Sequence, residues 1–178
     1  MNLWKTYLRW RHTKGFGVHS PYAFELVNSV VRPGDYGYYG YAAIDRILKK
    51  LPSAASRPDL REDSRLLLRT VINIPAERIV SFGFNESLCR GVAKAAGVGY
   101  GKGFCKGDLV VIEKGNQLSV SPFDILAQEA AILAFDPVPS VRKDLEIPSQ
   151  RGVLFSGPRI ILRIPRKEMA FVDYAVNF

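Results

Sequence analysis

From residue 78 onward the chain alternates two kinds of segment with different hydrophobic periods. Arg78-Ile-Val-Ser-Phe-Gly is a short apolar run of strand type, while Asn85-Glu-Ser-Leu-Cys-Arg-Gly-Val-Ala-Lys-Ala-Ala-Gly repeats as a helix. Asn85 stands where a cap belongs, and Gly97 stands where a helix ends. Strand, tight turn and helix in that order make a β–turn–α unit, which needs a sheet to bury it. Gly97, Gly99, Gly101, Gly103 and Gly107 then read as a loose connection into a second strand, Asp108-Leu-Val-Val-Ile-Glu. Ser121-Pro122 opens a helix expected to reach about Phe135, and a loop with Pro137, Pro139 and Pro148 follows. The tail offers two strands, Arg159 to Ile164 and Ala170 to Asn177, joined at Pro165-Arg-Lys-Glu as an antiparallel hairpin. The expectation is an α/β sheet closed by that hairpin and preceded by a helical N-terminal extension.

The extension, residues 1–63, reads as helices separated by strong breakers. Leu3, Tyr7 and Trp10 share one face of a helix over Leu3 to Arg11, with Trp4 and Leu8 beside them and Lys5, Arg9 and Arg11 opposite. Such a face can stack on nucleic-acid bases or lie on a membrane surface, but docking against the chain's own domain is the expectation. Ser20-Pro21 gives a hydroxyl cap followed by proline at the first helical position, for a helix to about Val31 that stops at Arg32-Pro33-Gly34. Tyr36 to Tyr41 is read as a packed loop, residues 41–51 as a third helix ending at Pro52, and Ser53 to Asp63 as a linker. A fourth helix, from about Ser64 to Asn73, opens the α/β domain, residues 64–178.

Length and composition bound what this arrangement can be. The 178 residues, 47% of them apolar, suffice for one core, and no apolar run approaches a membrane span of about 20 residues. The N-terminal residues place charges among aromatics with no small-residue cleavage site, so no secretory signal is visible and a cytoplasmic location is expected by default. Cys89 and Cys105 form no C-x-x-C pair and no metal-ligand spacing is present, so both thiols are expected to be reduced and structural. The net charge of +8 predicts attraction to polyanions. Residues 1–61 hold ten Lys/Arg against four acids, so most of that excess belongs to the N-terminal third.

Candidate site residues follow from the rule that ligands of open α/β sheets gather beyond the carboxyl ends of the strands. Two positions qualify: Gly83 to Ser87, with Phe84 and Asn85 in the turn, and Glu113 to Asn116. Gly83 fits a turn whose backbone approaches a ligand, and Glu113 fits an acid that accepts from ribose hydroxyls. The glycine cluster matches no phosphate loop, because Ala96 stands where the first glycine belongs and Gly103 follows Gly101-Lys102. The dinucleotide pattern also fails, since Phe104 stands where the third glycine after Gly99 and Gly101 belongs. His12 and His19 have no carboxylate or nucleophile pattern around them, and His19 reads as a structural hydrogen-bonding residue.

Three segments resemble one family. Gly17-Val-His-Ser-Pro-Tyr-Ala-Phe-Glu-Leu-Val is similar to the N-terminal H-G-V-H-S-P-F-x-F/Y-x-x-V element of a bacterial group of class I S-adenosylmethionine-dependent methyltransferase-like proteins, with Phe16 where that group has His. Leu66 to Gly83 resembles the family's helix, first strand and cofactor loop, and Arg159 to Phe178 its closing hairpin. Together the segments cover about half of the chain. The resemblance implies a Rossmann-like, mostly parallel sheet with S-adenosylmethionine as possible cofactor, held at Gly83, Phe84, Asn85 and Glu113. The chain departs from the family's E-x-G-x-x-x-G loop, however, because Ser81, Gly83 and Ser87 stand at those positions. Loss of the acid removes a partner for the ligand's ammonium, and Ser87 adds a side chain where the family has none, so weakened or abolished binding is expected. The region between the candidate strands is also short for the family, so a strand or two is expected to be missing. Glu113 is then either the ribose-binding acid after the second strand or the remnant of a later strand.

The resulting expectation is a methyltransferase-like protein with a degraded cofactor loop, acting as a non-catalytic binding or regulatory relative. An active methyltransferase of unknown substrate is the first alternative, with alignment of a nucleophile against the methyl group as its main device. A basic nucleic-acid-binding module, with Trp4, Trp10 and neighbouring arginines as contacts, is the second. A sheet edge covered by a second copy of the chain, giving a homo-oligomer, stays open.

Overall fold

Strand pairing brings together residues that the sequence keeps far apart. The computed structural model describes residues 3–15, 17–32, 38, 40–52, 57–113, 120–148 and 151–178. The element order is α1 (Leu3–Thr13), α2 (Pro21–Leu26) running into a π-helical turn (Val27–Val31), α3 (Gly40–Leu48), α4 (Leu60–Asn73), β1 (Arg78–Phe82), α5 (Glu86–Ala96), β2 (Gly99–Gly101) and β3 (Leu109–Glu113). It continues with α6 (Pro122–Ala127), β4 (Ala131–Phe135), α7 (Pro139–Glu146), β5 (Gly152–Ser156), β6 (Ile160–Pro165) and β7 (Val172–Ala175). The strands form one seven-stranded sheet in the order β2-β1-β3-β4-β6-β5-β7. Pairs β1–β2, β1–β3, β3–β4 and β5–β7 are parallel, while β6 runs antiparallel between β4 and β5. This is a Rossmann-like α/β fold.

Alternation along the strands explains the layers. In β3, Leu109 and Val111 point to one face, among α2 to α5, and Val110 and Ile112 point to the other, beneath α6 and α7. A strand buried on both faces reads as a continuous apolar run, as Leu109 to Ile112 does. The helix starts were legible because capping is local. Ser20 accepts from the Ala23 N–H at 3.3 Å, Asn85 from Leu88 N–H at 3.1 Å and Ser121 from Phe123 N–H at 3.2 Å.

Several expectations are corrected. The glycine-rich connection contains β2, so Asp108 to Glu113 supplies the third strand in the chain, not the second. The helix expected to reach Phe135 ends at Ala127, and Ala131 to Phe135 is β4. Its stop is hidden because Glu129, not glycine, takes the positive φ of 59° at the break. The Lys106 ammonium lies 2.9 Å from the Glu129 carboxylate, and Lys167 pairs with its other oxygen. The expected proline-rich loop contains α7, which starts at Pro139. The antiparallel hairpin is β5–β6; β7 lies beyond β5 and parallel to it, so the two tail strands do not pair with each other.

The sheet has seven strands, so the expected shortening does not appear as a small strand count. β2 is short, matching only Arg78 to Val80 of β1, and the return through residues 102–108 holds no helix. Arg78 braces that return through Asp108, donating at 3.0 and 2.7 Å to its two carboxylate oxygens. The boundary drawn after residue 63 falls inside α4, which starts at Leu60, and side chains of α2, α3, α4 and the sheet join one apolar cluster. The aromatic face of α1 does not dock on the domain, since Trp4, Tyr7 and Trp10 are exposed. The stop at 33–34, residues 36, 37 and 39 of the tyrosine-rich loop, residues 53–56 of the linker and residues 114–119, including Asn116, lie outside the described residues.

Candidate functional site

The strand order reverses at β1. β2 lies on one side of it and β3 on the other, and both are parallel to it. Such a reversal opens a crevice at the carboxyl ends of the two strands, where ligands of this architecture bind. Gly83 follows β1 and Glu113 ends β3, so the structure brings two of the candidate residues to the same place.

The turn after β1 is built locally. Gly83 takes φ 86°, a conformation open to glycine at no steric cost, and it is exposed. Ser81 donates its hydroxyl to the Phe84 carbonyl at 2.9 Å and so closes the turn on itself. Asn85 caps α5, and its side-chain oxygen is occupied by the Leu88 N–H. Phe84 turns inward, 3% exposed, with its ring 5.1 Å from that of Phe135. Cys89, one turn into α5, is buried, and burial pushes its thiol up to about 12, which makes it unreactive. Cys105 is exposed, so of the two thiols only Cys89 belongs to the core.

Glu113 is only slightly exposed and forms an ion pair with Arg57, which arrives from the segment before α4. Its register partner across β4 is Phe135, which places Asp136 at the same end of the sheet. There Arg159 meets three carboxylates: Asp136 at 3.2 Å, Asp63 at 3.3 Å and Asp59 at 3.4 Å. Asp63 is 2% exposed, and its burial outweighs Arg159 and pushes the carboxyl up to about 6. Sequence reasoning missed this network because its members are separated by long stretches of chain and Asp136 follows a strand that was not read as one. Asp136 also takes a positive φ of 44°, a conformation unusual outside glycine.

The residues present do not fit an adenosyl ligand well. Ser81, which the resemblance sets where an ammonium-binding acid would stand, is engaged with its own turn, and Glu113 ends the third strand with its carboxylate on Arg57. A cavity of about 140 Å³ lined by Pro158, Arg159, Ile160, Asn177 and Phe178 lies toward β6 and the C-terminus, not at Gly83. It is well below the roughly 300 Å³ at which ligand pockets begin. His12, and not His19, is the histidine bound into the structure: its Nδ1 donates to the Ala175 carbonyl at 3.2 Å, whereas His19 is exposed. No protein-family model, curated protein or solved structure matches the chain.

Proposed function

We propose that this chain is a methyltransferase-like protein that has given up its cofactor site and works as a non-catalytic binding protein. The observation that carries the reading is that the chain itself satisfies the switch point. Phe84 lies in the core against Phe135, and Glu113 is neutralised by Arg57. A ligand there must displace a guanidinium from a nearly buried carboxylate, which leaves that charge to be paired anew. Ser81 is tied to the turn and Glu86, at the start of α5, is paired with Arg90, so both are already engaged within the chain.

Calorimetric titration of the full chain with S-adenosylmethionine tests this. The expected result is no saturable heat, or an affinity no tighter than millimolar. Micromolar binding would restore the enzyme reading and remove the proposal.

A further inference from the structure

Among the described residues, the most exposed aromatic surface lies on α1, far in sequence from the switch point. Trp4, Tyr7 and Trp10 are 63%, 47% and 49% exposed and follow one another along the helix at a spacing of three. Their rings form a row, with centroids 5.9 Å apart for Trp4 and Tyr7 and 6.3 Å apart for Tyr7 and Trp10, the second pair stacked. Phe24, on α2, is also exposed, and its ring packs directly on Gly15 just beyond the end of α1. Two cations sit on the rings: Lys14 lies 4.5 Å from the centre of Trp10, and Arg11 lies 5.8 Å from that of Tyr7. Lys5 and Arg9 stand on the same helix, and residues 1–24 contain no acid.

This row is held rigidly. The His12 ring meets Tyr174 edge-on at 5.5 Å and donates to Ala175, and the Asn177 N–H donates to the Thr13 hydroxyl at 2.8 Å. One side of α1 is thus fastened to the sheet-edge strand β7, and the aromatic side is presented outward with little left to order on binding.

We infer that this face of α1 binds single-stranded nucleic acid, with unpaired bases stacking on Trp4, Tyr7 and Trp10 and phosphates running past Arg11 and Lys14. Charge complementarity with a polyanion and rings that accept any base by stacking are the two elements of sequence-tolerant single-strand binding. A membrane surface fits less well. A helix lying in the interface keeps its cations on the face away from the buried rings, whereas here Arg11 and Lys14 lie over the Tyr7 and Trp10 rings themselves. The inference rests on the reading of the chain as a binding protein and names its partner. It also fails separately, because S-adenosylmethionine calorimetry probes a different part of the molecule.

The chain's two tryptophans both lie in this row, so intrinsic fluorescence reports on this face alone. The test titrates the full chain with fluorescein-labelled oligo(U), with an oligo(A)·oligo(U) duplex, and with vesicles of phosphatidylcholine and phosphatidylserine in equal parts. The expected result is tryptophan quenching by the single strand, weaker binding of the duplex, and a log–log salt slope approaching about −1.4 if both cations engage. Trp10→Ala should weaken binding by about fivefold or more, Trp10→Phe should retain most of it, and the Lys14→Glu variant should weaken it and flatten the salt slope. The exposed positions of Trp10 and Lys14 make folded variants the expectation, checked by circular dichroism. Duplex binding as tight as single-strand binding, an unaffected Trp10→Ala variant, or vesicle binding without oligonucleotide binding would each overturn the inference.

Discussion

At neutral pH Asp63 carries its charge where burial opposes it. Arg159 sits on it, Asp59 adds a like charge, and Arg57 contributes a weaker attraction. The carboxyl is at about 6 in the fold against an ordinary 3.8, so the folded chain binds more protons than the unfolded one between those values. Stability from this group is therefore complete below pH 3.8 and is lost as pH rises through about 6, a difference on the order of 3 kcal/mol. Asp63→Asn keeps the volume and removes the titration. Urea denaturation across a pH series should show the variant gaining on the parent between pH 4 and pH 6, and parallel curves would contradict the assigned environment. Legibility at this scale follows sequence distance. Ser20, Asn85 and Ser121 were readable as caps because each cap and its partner N–H lie within three residues. The meeting of Asp63 with Arg159 could not be read, because only the tertiary fold brings them together.

Among the elements, those with an unbroken period and a local stop signal were legible, and those whose boundary depends on a distant partner were not. β1, α5 and β3 are bounded by Gly83, Gly97 and the residues around Asp108, so their existence followed from pattern alone. The α6–β4 boundary is set by Glu129 in a conformation normally left to glycine, with its partners Lys106 and Lys167 supplied from elsewhere. β5 was missed because Val153 to Phe155 is a brief apolar run between glycines, and it becomes a strand only through pairing with β6 and β7. Gly152 shows how closely that pairing is fitted. It takes φ 124°, and a Cβ there would lie 2.2 Å from the Ile164 carbonyl oxygen and 2.7 Å from the Arg166 nitrogen. Gly152→Ala should therefore cost about 1–3 kcal/mol, read as a fall in the urea midpoint at unchanged slope. A neutral substitution would argue against this β5–β6 register.

For the whole molecule, the sheet order gives the candidate site its place and the local chemistry decides what that site can do. A reversal of strand order beside β1 is the architecture of a ligand crevice, and Gly83 and Glu113 were identifiable in sequence because both sit at strand ends. Whether the crevice is open was not identifiable, because it depends on Phe135 and Arg57, from a strand read as a helix and a segment read as a linker. Binding is assigned instead to α1, whose aromatic face looked like core until its exposure was seen. Amide chemical-shift mapping of one labelled sample, titrated first with S-adenosylmethionine and then with oligo(U), tests this division of roles most directly. The account predicts resonances of Gly83, Phe84, Asn85 and Glu113 that stay still in the first titration and resonances of residues 4–14 that move in the second. Saturable shifts at Gly83 and Asn85 on adding S-adenosylmethionine would contradict it.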